Sequence, residues 1–302
     1  MARSSTSPPA LIGPPRGSER AFLDDSRERW KAAMRNDLKN RAVLITGGTK
    51  GIGLAIGLAF GRQGAQTYLT YRWGSADEDA VRRQFAEIDA PEPAIIEADV
   101  SQDDDTVALM KAIKERGHER IEVFVSNVAV VQPAMGIESY RKRSLLRSLE
   151  YSAWPFVAYL QHADAIFGEL PRYALGVSSD GPDNYFSHYE YVAASKAVME
   201  TMCRYLSRHL RHRDIRMNMI RSRNVLTDAV TEIFGPKYVD FMSKYAGVEN
   251  FMHADEIANV ALALCSGMLD AMNGQIIQVD KGAAFADTLM RTMEQLEKWG
   301  EL

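Results

Sequence analysis

Residues 42–64 read AVLITGGTKGIGLAIGLAFGRQG, and the architecture of the whole chain follows from this segment. The run AVLIT is short and apolar, which is typical of a buried strand. A glycine-rich turn follows at once and leads into an apolar pattern that predicts a helix. Glycine lets the backbone approach a phosphate closely, and a helix N-terminus offers N–H groups and a positive dipole. The segment therefore predicts a strand–turn–helix unit that binds the pyrophosphate of a dinucleotide.

The same alternation continues along the chain, from QTYLTY at 66–71 to QIIQVD at 275–280. Seven apolar runs alternate with helical patterns, and such a sequence forms parallel βαβ units with helices on both faces of the sheet. We predict a single doubly wound α/β domain over residues 41–285, with a seven-stranded parallel sheet. Residues 144–170 are predicted to form one long helix and residues 189–212 another.

The two ends of the chain depart from this pattern. Residues 1–20 are rich in Ser, Pro, Gly and Arg, a composition that does not order by itself. Residues 21–39 carry apolar side chains near helical spacing, which predicts an amphipathic helix. We therefore expect an N-terminal extension over residues 1–40, and a C-terminal helical tail over residues 286–302 for packing, for oligomer contacts or as a flap over the active site.

The composition excludes several classes of protein. With 302 residues, 46% of them hydrophobic, and a net charge of -4, the chain lacks the basic excess of a nucleic-acid or membrane-surface binder. We expect no membrane helix, since no apolar run approaches about 20 residues. Two cysteines, Cys203 and Cys265, suit a reducing compartment, so a cytoplasmic location is predicted. The six histidines are dispersed, and no metal site is predicted.

The end of the second strand bears on the cofactor. In NAD-binding proteins this strand usually ends in an acid that holds the ribose, but here Arg72 follows it and the first acid is Asp77. Arg72 and Lys50 are both placed to meet a 2′-phosphate, so NADP(H) is favoured over NAD(H). Asp99, after the third strand, is a candidate for the adenine edge. Asn127, after the fourth, is a candidate for shaping the turn beside the nicotinamide-side ribose.

Taken together, these motifs resemble the short-chain dehydrogenase/reductase family over roughly residues 40–285. The resemblance implies a Rossmann sheet of seven strands, a nicotinamide cofactor, and a homodimer or homotetramer built on the two long helices. The matching motifs include TGGTKGIG at 46–53, DV at 99–100, SNVA at 126–129, Asn218 and the pair of residues Val279 and Asp280. The predicted cofactor-binding residues are Gly47, Thr49, Lys50, Gly51, Ile52, Gly53, Arg72, Asp99, Val100, Asn127, Lys196 and Thr227.

Residues 178–196, SSDGPDNYFSHYEYVAASK, hold the family's Tyr–Lys pair in an unusual spacing. Ordinary members have Tyr four residues before the Lys, where this chain has Val192. At about 100° per residue, Tyr189 returns to within about 20° of Lys196, whereas Tyr191 lies about 140° away. The resulting Y-x6-K spacing resembles the enoyl-acyl-carrier-protein reductase branch of the family.

We therefore assign Tyr189 as the proton donor and Lys196 as the ribose anchor and electrostatic partner. Ser179 is the candidate second donor to the substrate oxygen, and Ser178 is the alternative for that role. Tyr185 is expected to form a wall of the substrate pocket rather than to act in catalysis.

Three functions are compatible with these residues. The Y-x6-K spacing favours an NADPH-dependent reductase that acts on the C=C of an enoyl thioester or a related conjugated substrate. The retained Ser179 supports a carbonyl reductase or alcohol dehydrogenase. Three departures from the family pattern raise the third, a cofactor-binding protein with lost or altered catalysis. Ser152 stands in place of a helix asparagine, and Arg223 and Lys281 each stand in place of a glycine.

Substrate recognition is expected to depend on residues 133–147 and on a lid over residues 225–247, with Phe234, Tyr238, Phe241, Met242 and Tyr245 lining or covering the pocket. Two basic clusters, over residues 141–147 and 208–216, are candidates for docking an acidic partner such as acyl carrier protein. The second cluster also has a local explanation, because cations are favoured at a helix C-terminus.

Overall fold

The apolar runs of the sequence form seven strands in a computed structural model of the chain. The structure describes residues 38–227, 230, 235–247, 250–285, 287, 289, 290 and 293. The strands are β1 (Ala42–Ile45), β2 (Gln66–Tyr71), β3 (Ala94–Glu97), β4 (Ile121–Ser126), β5 (Tyr173–Ser179), β6 (Arg216–Ser222) and β7 (Gln275–Val279). They pair in parallel in the order β3-β2-β1-β4-β5-β6-β7. This architecture confirms the predicted seven-stranded Rossmann-type sheet.

Eight α-helices connect or follow these strands within the part of the chain that the structure describes. They are α1 (Gly51–Arg62), α2 (Glu78–Ala86), α3 (Asp103–Glu115), α4 (Lys142–Ser152), α5 (Trp154–Phe167), α6 (Glu190–His209), α7 (Pro236–Ala246) and α8 (Ala254–Leu264). The chain order changes direction in the sheet between β1 and β4. In open parallel sheets, ligands bind beyond the carboxyl ends of the strands at such a point.

Each face of the sheet carries its own core, because alternate strand residues point to opposite sides. On one side, Leu44 and Phe124 pack in a buried cluster with residues of α3, α5 and α6. On the other side, Val43 and Ile45 pack with residues of α1, α2 and α8. The two cores fix the strand ends, and therefore the loops that build the site.

The long helix predicted over residues 144–170 was wrong, since two helices occupy this region. The chain breaks at Ala153, which ends α4 and caps α5, and Pro155 occupies the first turn of α5. Proline has no N–H to donate to the carbonyl four residues earlier, so a helix accepts it in its first turn but not in its interior. The helix predicted over 189–212 is observed as α6, which begins one residue later and ends at His209.

The N-terminal extension lies outside the described residues except for positions 38–40. The same holds for the C-terminal tail except for positions 287, 289, 290 and 293, so both remain predictions. Within the described part of the chain, no helix combines the length and the apolar character that crossing a membrane requires.

Candidate active site

The glycine-rich turn between β1 and α1 is held in a fixed shape. Gly47 and Gly51 have φ values of +61° and +55°, which side-chain-bearing residues rarely adopt. A Cβ on Gly53 would lie 2.3 Å from the carbonyl oxygen of Gly47. The Asn127 amide donates hydrogen bonds of 3.1 Å to the carbonyl oxygens of Thr46 and Gly47. Asn127 therefore ties the end of β4 to this turn.

The N-terminus of α1 is suited to an anionic group. Its N-cap residue, Lys50, makes no side-chain capping hydrogen bond, so the first helical N–H groups are not capped by that side chain. Lys50 is exposed and lines the cavity described below, together with Gly51 and Ile52. Unsatisfied N–H groups and a nearby ammonium bind phosphate well. These residues fit the pyrophosphate of a dinucleotide cofactor.

At the end of β2, Arg72 is held by an acid and by aromatic side chains. Its guanidinium forms a 2.5 Å ion pair with Asp99, donates a hydrogen bond to the Tyr151 hydroxyl oxygen, and stacks 4.1 Å from the Trp73 ring centroid. Asp77 is the N-cap of α2 and accepts a 2.9 Å hydrogen bond from the backbone N–H of Ala80. The first acid after β2 therefore serves a helix, and a cation occupies the position where NAD-binding chains usually have an acid.

A cavity of about 380 Å³ opens beyond the carboxyl ends of β1, β4, β5 and β6. Of the predicted catalytic and cofactor-binding residues, it is lined by Gly47, Lys50, Gly51, Ile52, Asn127, Ser179, Tyr189, Lys196 and Thr227. Five others do not line it: Thr49 and Gly53 belong to the glycine-rich turn, Arg72 and Asp99 form their ion pair, and Val100 is buried in the core.

Tyr189 and Lys196 both face this cavity. The Tyr189 hydroxyl donates a 3.2 Å hydrogen bond to the Ser179 hydroxyl, and the Lys196 ammonium donates a 2.7 Å hydrogen bond to the carbonyl oxygen of Val177. Tyr189 is the N-cap of α6, with non-helical φ and ψ of -113° and 4°. Tyr189 therefore lies just before the first residue of the helix, whereas the sequence predicted it within the helix.

Tyr191 points away from this site. It is buried, and its hydroxyl accepts a 2.6 Å hydrogen bond from the backbone N–H of Arg141 at the start of α4. Val192, at the family's ordinary tyrosine position, lines the cavity with an apolar side chain. Among the tyrosines of residues 178–196, Tyr189 is the one that lines the cavity.

Burial shifts the pKa values of both groups. It raises the pKa of the Tyr189 hydroxyl above its ordinary value, against the effect of the hydrogen bond with Ser179. Burial also lowers the pKa of the Lys196 ammonium to about 8, while the negative charge of Glu200 acts in the opposite direction. Burial therefore favours the neutral form of the tyrosine hydroxyl, and the lysine titrates near the physiological range.

A buried network under the cavity was not anticipated from the sequence. Glu200 accepts hydrogen bonds from the Ser178 hydroxyl at 2.7 Å and from two nitrogens of Arg221 at 2.9 Å and 2.5 Å. Arg221 also pairs with Asp183 in the loop after β5. Two signals were available: Glu200 lies one helical turn after Lys196, and Arg221 interrupts an apolar strand.

The unusual residues of the chain all have partners in the structure. Arg223 forms a 2.7 Å ion pair with the buried Asp180, whose importance the sequence did not reveal. The Ser152 hydroxyl accepts a 3.0 Å hydrogen bond from the backbone N–H of Val130. Lys281 bonds the carbonyl oxygen of Phe251 at 2.9 Å and pairs with Glu256 at 3.0 Å, which braces the N-terminus of α8.

The predicted pocket wall is only partly observed. Tyr185 is 85% exposed and does not line the cavity, so its expected role as a wall was wrong; Phe186, next to it, lines the cavity instead. Tyr238 of the predicted lid lines the cavity, whereas Phe241 is 62% exposed. Phe234 and the side chain of Tyr245 lie outside the described residues. Among those described, no three His, Cys, Asp or Glu residues group as metal ligands.

Comparison with known proteins identifies the family. A family model described as enoyl-(acyl carrier protein) reductase matches residues 47–284. The 7α-hydroxysteroid dehydrogenase of Escherichia coli is 25% identical over 255 residues, which cover 81% of this chain and 94% of that protein. The enoyl-(acyl-carrier-protein) reductase (NADH) of Aquifex aeolicus is 23% identical over 251 residues, which cover 81% and 92%.

A solved structure shows the same fold. Levodione reductase superimposes with a TM-score of 0.74 at 22% identity, covering 83% of this chain and 100% of that one. The chain therefore belongs to the short-chain dehydrogenase/reductase family and resembles its enoyl reductase branch, as its motifs indicated. It is an NAD(P)-dependent oxidoreductase.

Proposed function

We propose that the protein uses NADPH to reduce the C=C bond of an enoyl thioester or a related conjugated substrate. The observation that carries this proposal is the position of Tyr189. This tyrosine lines the cavity together with Lys196 at the Y-x6-K spacing, while Val192 occupies the ordinary tyrosine position without a hydroxyl. The match to the enoyl-(acyl carrier protein) reductase model supports the same branch.

The cavity residues have complementary roles in such a reaction. A bound nicotinamide cofactor supplies the hydride. The substrate then carries negative charge on its oxygen, and a positioned donor stabilises that charge. Tyr189 donates a proton to this substrate oxygen. Ser179 holds the Tyr189 hydroxyl in place through the hydrogen bond between the two side chains. Lys196 keeps a positive charge near the tyrosine and is positioned to hold the ribose, while the glycine-rich turn and Lys50 hold the phosphates.

The preference for NADPH rests on charge at the end of β2. Arg72 and Lys50 are the cations available for a 2′-phosphate. Asp77, the nearest acid in the chain, is engaged as the N-cap of α2. A carboxylate at this position would hold the ribose hydroxyls of NAD(H). For Arg72 to meet the phosphate, its ion pair with Asp99 must loosen or be shared.

Reduction of a carbonyl group is the alternative function, and the bond between Tyr189 and Ser179 favours it. Two hydroxyl groups 3.2 Å apart in one cavity can together bind a carbonyl oxygen. The relatives include the hydroxysteroid dehydrogenase and an NADPH-dependent aldehyde reductase of Arabidopsis thaliana, 23% identical over 254 residues that cover 82% of this chain and 88% of that protein.

The two functions are separated by following NADPH absorbance with crotonyl-coenzyme A and acetoacetyl-coenzyme A. The first function predicts oxidation of NADPH with the crotonyl thioester. Oxidation of NADPH with the β-keto thioester but not with the crotonyl thioester would contradict enoyl reduction and support carbonyl reduction. Tyr189→Phe serves as the control in both assays, since turnover by this site requires the hydroxyl.

We further propose that the start of α4 docks an acidic acyl carrier protein. Lys142, Arg143 and Arg147 are exposed there, whereas the Arg141 guanidinium bonds the carbonyl oxygens of Glu138 and Tyr140. Arg143→Glu should raise KM for a carrier-bound substrate but not for the coenzyme A thioester. The matched control is Arg208→Glu in the second basic cluster, where Arg208 is exposed in the last turn of α6. Equal effects of Arg143→Glu on both substrates would contradict docking.

A homodimer or homotetramer is part of this proposal. Val198, Met202 and Tyr205 are exposed at helical spacing along α6, so that they share one face of a long helix. Met202→Glu should shift the mass measured by light scattering towards the monomer. We also place the protein in the cytoplasm, because a sequence with two cysteines, Cys203 and Cys265, both of them buried, suits a reducing compartment.

A further inference from the structure

Arg223 occupies an unusual position at the substrate end of the cavity. It follows β6, at a point where the family pattern has glycine, and its side chain is only 17% exposed. The cavity is lined by Arg223 together with Asp180, Phe186 and Tyr189. The guanidinium carbon lies 5.4 Å from the Phe186 ring centroid, and that ring lies edge-on to Tyr189 at 5.8 Å between centroids. One aromatic ring therefore separates Arg223 from the proposed proton donor.

The contacts of Arg223 leave donors unused. Its Nη1 atom forms the 2.7 Å ion pair with Asp180, while its Nε atom is buried without a hydrogen-bond partner among the described residues. A guanidinium has five N–H donors in a planar fork that matches a carboxylate. A buried donor without a partner is costly, so proteins seldom retain one that has no role.

The charges around the cavity favour an anionic ligand. Within the part of the chain that the structure describes, the residues lining the cavity include three cations, Lys50, Lys196 and Arg223, and one acid, Asp180. Lys50 lies beside the glycine-rich turn proposed for the phosphates, and Lys196 is assigned to the ribose, so Arg223 is the lining cation left for the substrate. The pair is poorly solvated, since the Arg223 and Asp180 side chains are 17% and 3% exposed, and burial raises the pKa of the Asp180 carboxyl while the Arg223 charge lowers it.

We propose that Arg223 forms a subsite for a carboxylate group carried by the substrate. The substrate would then be a conjugated or keto acid whose carboxylate meets the guanidinium while its reacting oxygen meets Tyr189. This inference rests on the reductase function proposed above and narrows its substrate class. Asp180 has a positioning role: it holds the guanidinium at one nitrogen and leaves the other donors to the ligand.

The test uses a matched pair of probes, trans-3-benzoylacrylate and its methyl ester, which share one enone and differ in charge. The ratio of kcat/KM for acid over ester should be about tenfold or more in the unmodified protein, since charged hydrogen bonds are the strong ones. Arg223→Gln should abolish this preference. Asp180→Asn breaks the same ion pair but keeps the cation, so it should retain the preference for the acid.

Three results would overturn the proposal. The first is a higher kcat/KM for the ester than for the acid in the unmodified protein. The second is an equal fall of kcat/KM for both probes in Arg223→Gln, and the third is loss of the preference for the acid in Asp180→Asn. Loss of NADPH affinity in Arg223→Gln, measured by fluorescence, would assign the residue to the cofactor instead. If Arg223→Gln does not fold, Arg223→Lys replaces it and should give an intermediate ratio, because a lysine cannot form the bidentate contact.

A binding measurement separates this proposal from the reductase function. The same acid and ester are titrated calorimetrically into the protein saturated with NADP⁺, which cannot reduce them. Tighter binding of the acid by about tenfold, dependent on Arg223, would support the subsite even without turnover. If the acid binds but is not reduced, the reductase proposal fails for this substrate and the subsite stands. If the ester is reduced and the acid binds no more tightly than the ester, the carboxylate subsite is contradicted and the reductase function is retained.

Discussion

Glu200 accepts a 2.7 Å hydrogen bond from the Ser178 hydroxyl, one helical turn beyond Lys196. This bond distinguishes two adjacent serines that the sequence alone does not separate. Ser178 belongs to the buried pair of Glu200 and Arg221, whereas Ser179 bonds the Tyr189 hydroxyl. Replacement of Ser179 should therefore affect mainly the rate of catalysis, and replacement of Ser178 mainly the stability of the fold.

Ser179→Ala should lower kcat by about 10²-fold, because it removes a donor beside the developing charge, with little effect on stability. Ser178→Ala should instead lower the free energy of unfolding by about 1 kcal/mol, since a buried carboxylate loses one hydrogen bond. Steady-state kinetics and urea unfolding of both variants measure this contrast. A larger loss of kcat in Ser178→Ala than in Ser179→Ala would reverse the assignment.

Tyr189→Phe should lower kcat by about 10²- to 10⁴-fold, the range for loss of a general acid, while NADPH binding persists. Tyr191→Phe is the matched control. Its hydroxyl bonds the Arg141 backbone N–H, so its loss should cost about 1 kcal/mol of stability and leave most turnover. Kinetics and fluorescence titration with NADPH provide the two readings. Intact turnover in Tyr189→Phe would exclude it as the donor.

The fold could be predicted because its signals are local. Each strand is an apolar run, each helix an amphipathic pattern, and the glycines of residues 47–53 mark the first crossover. The error in the helix over residues 144–170 was local too, since Pro155 was present in the sequence and its effect on helical hydrogen bonds is general.

The supporting contacts of the site could not be predicted in the same way. Asp180 and Arg223 are 43 positions apart, and Glu200 and Arg221 are 21 apart. No periodicity links such pairs. The register of β5 and β6 brings Asp180 beside Arg223, whereas Glu200 meets Arg221 because α6 packs on β6. Arg72 is a similar case: its position after β2 was evident, but its pairing with Asp99 depends on the adjacent strand β3.

Replacement of Arg72 tests the cofactor preference. Arg72→Ala should reduce the preference for NADPH over NADH by about tenfold or more, since it removes a charged contact with the 2′-phosphate. Tyr151→Phe is the control: it removes a hydrogen-bond partner of Arg72 and keeps the cation. The ratio of kcat/KM for the two cofactors is the measurement. An unchanged ratio in Arg72→Ala would leave Lys50 as the residue to test.

The pH dependence of kcat/KM should report Lys196. Burial lowers the pKa of this lysine to about 8, whereas it raises the pKa of Tyr189, so the lysine loses its proton first as pH rises. Activity that needs the charged lysine should be full well below pH 8 and fall above it.

Glu200→Gln tests that assignment directly. The negative charge of Glu200 raises the lysine pKa, so its removal should move the alkaline fall to lower pH. Asp183→Asn is the control, because it weakens the same network at its exposed end, where Arg221 pairs with Asp183. Rate profiles between pH 6 and 10, taken on variants whose thermal unfolding is still cooperative, measure the shift. Two results would contradict the assignment: an alkaline fall at the same pH in Glu200→Gln, or an equal shift of this fall in Asp183→Asn. Either would show that the alkaline fall does not follow a lysine pKa that depends on the charge of Glu200.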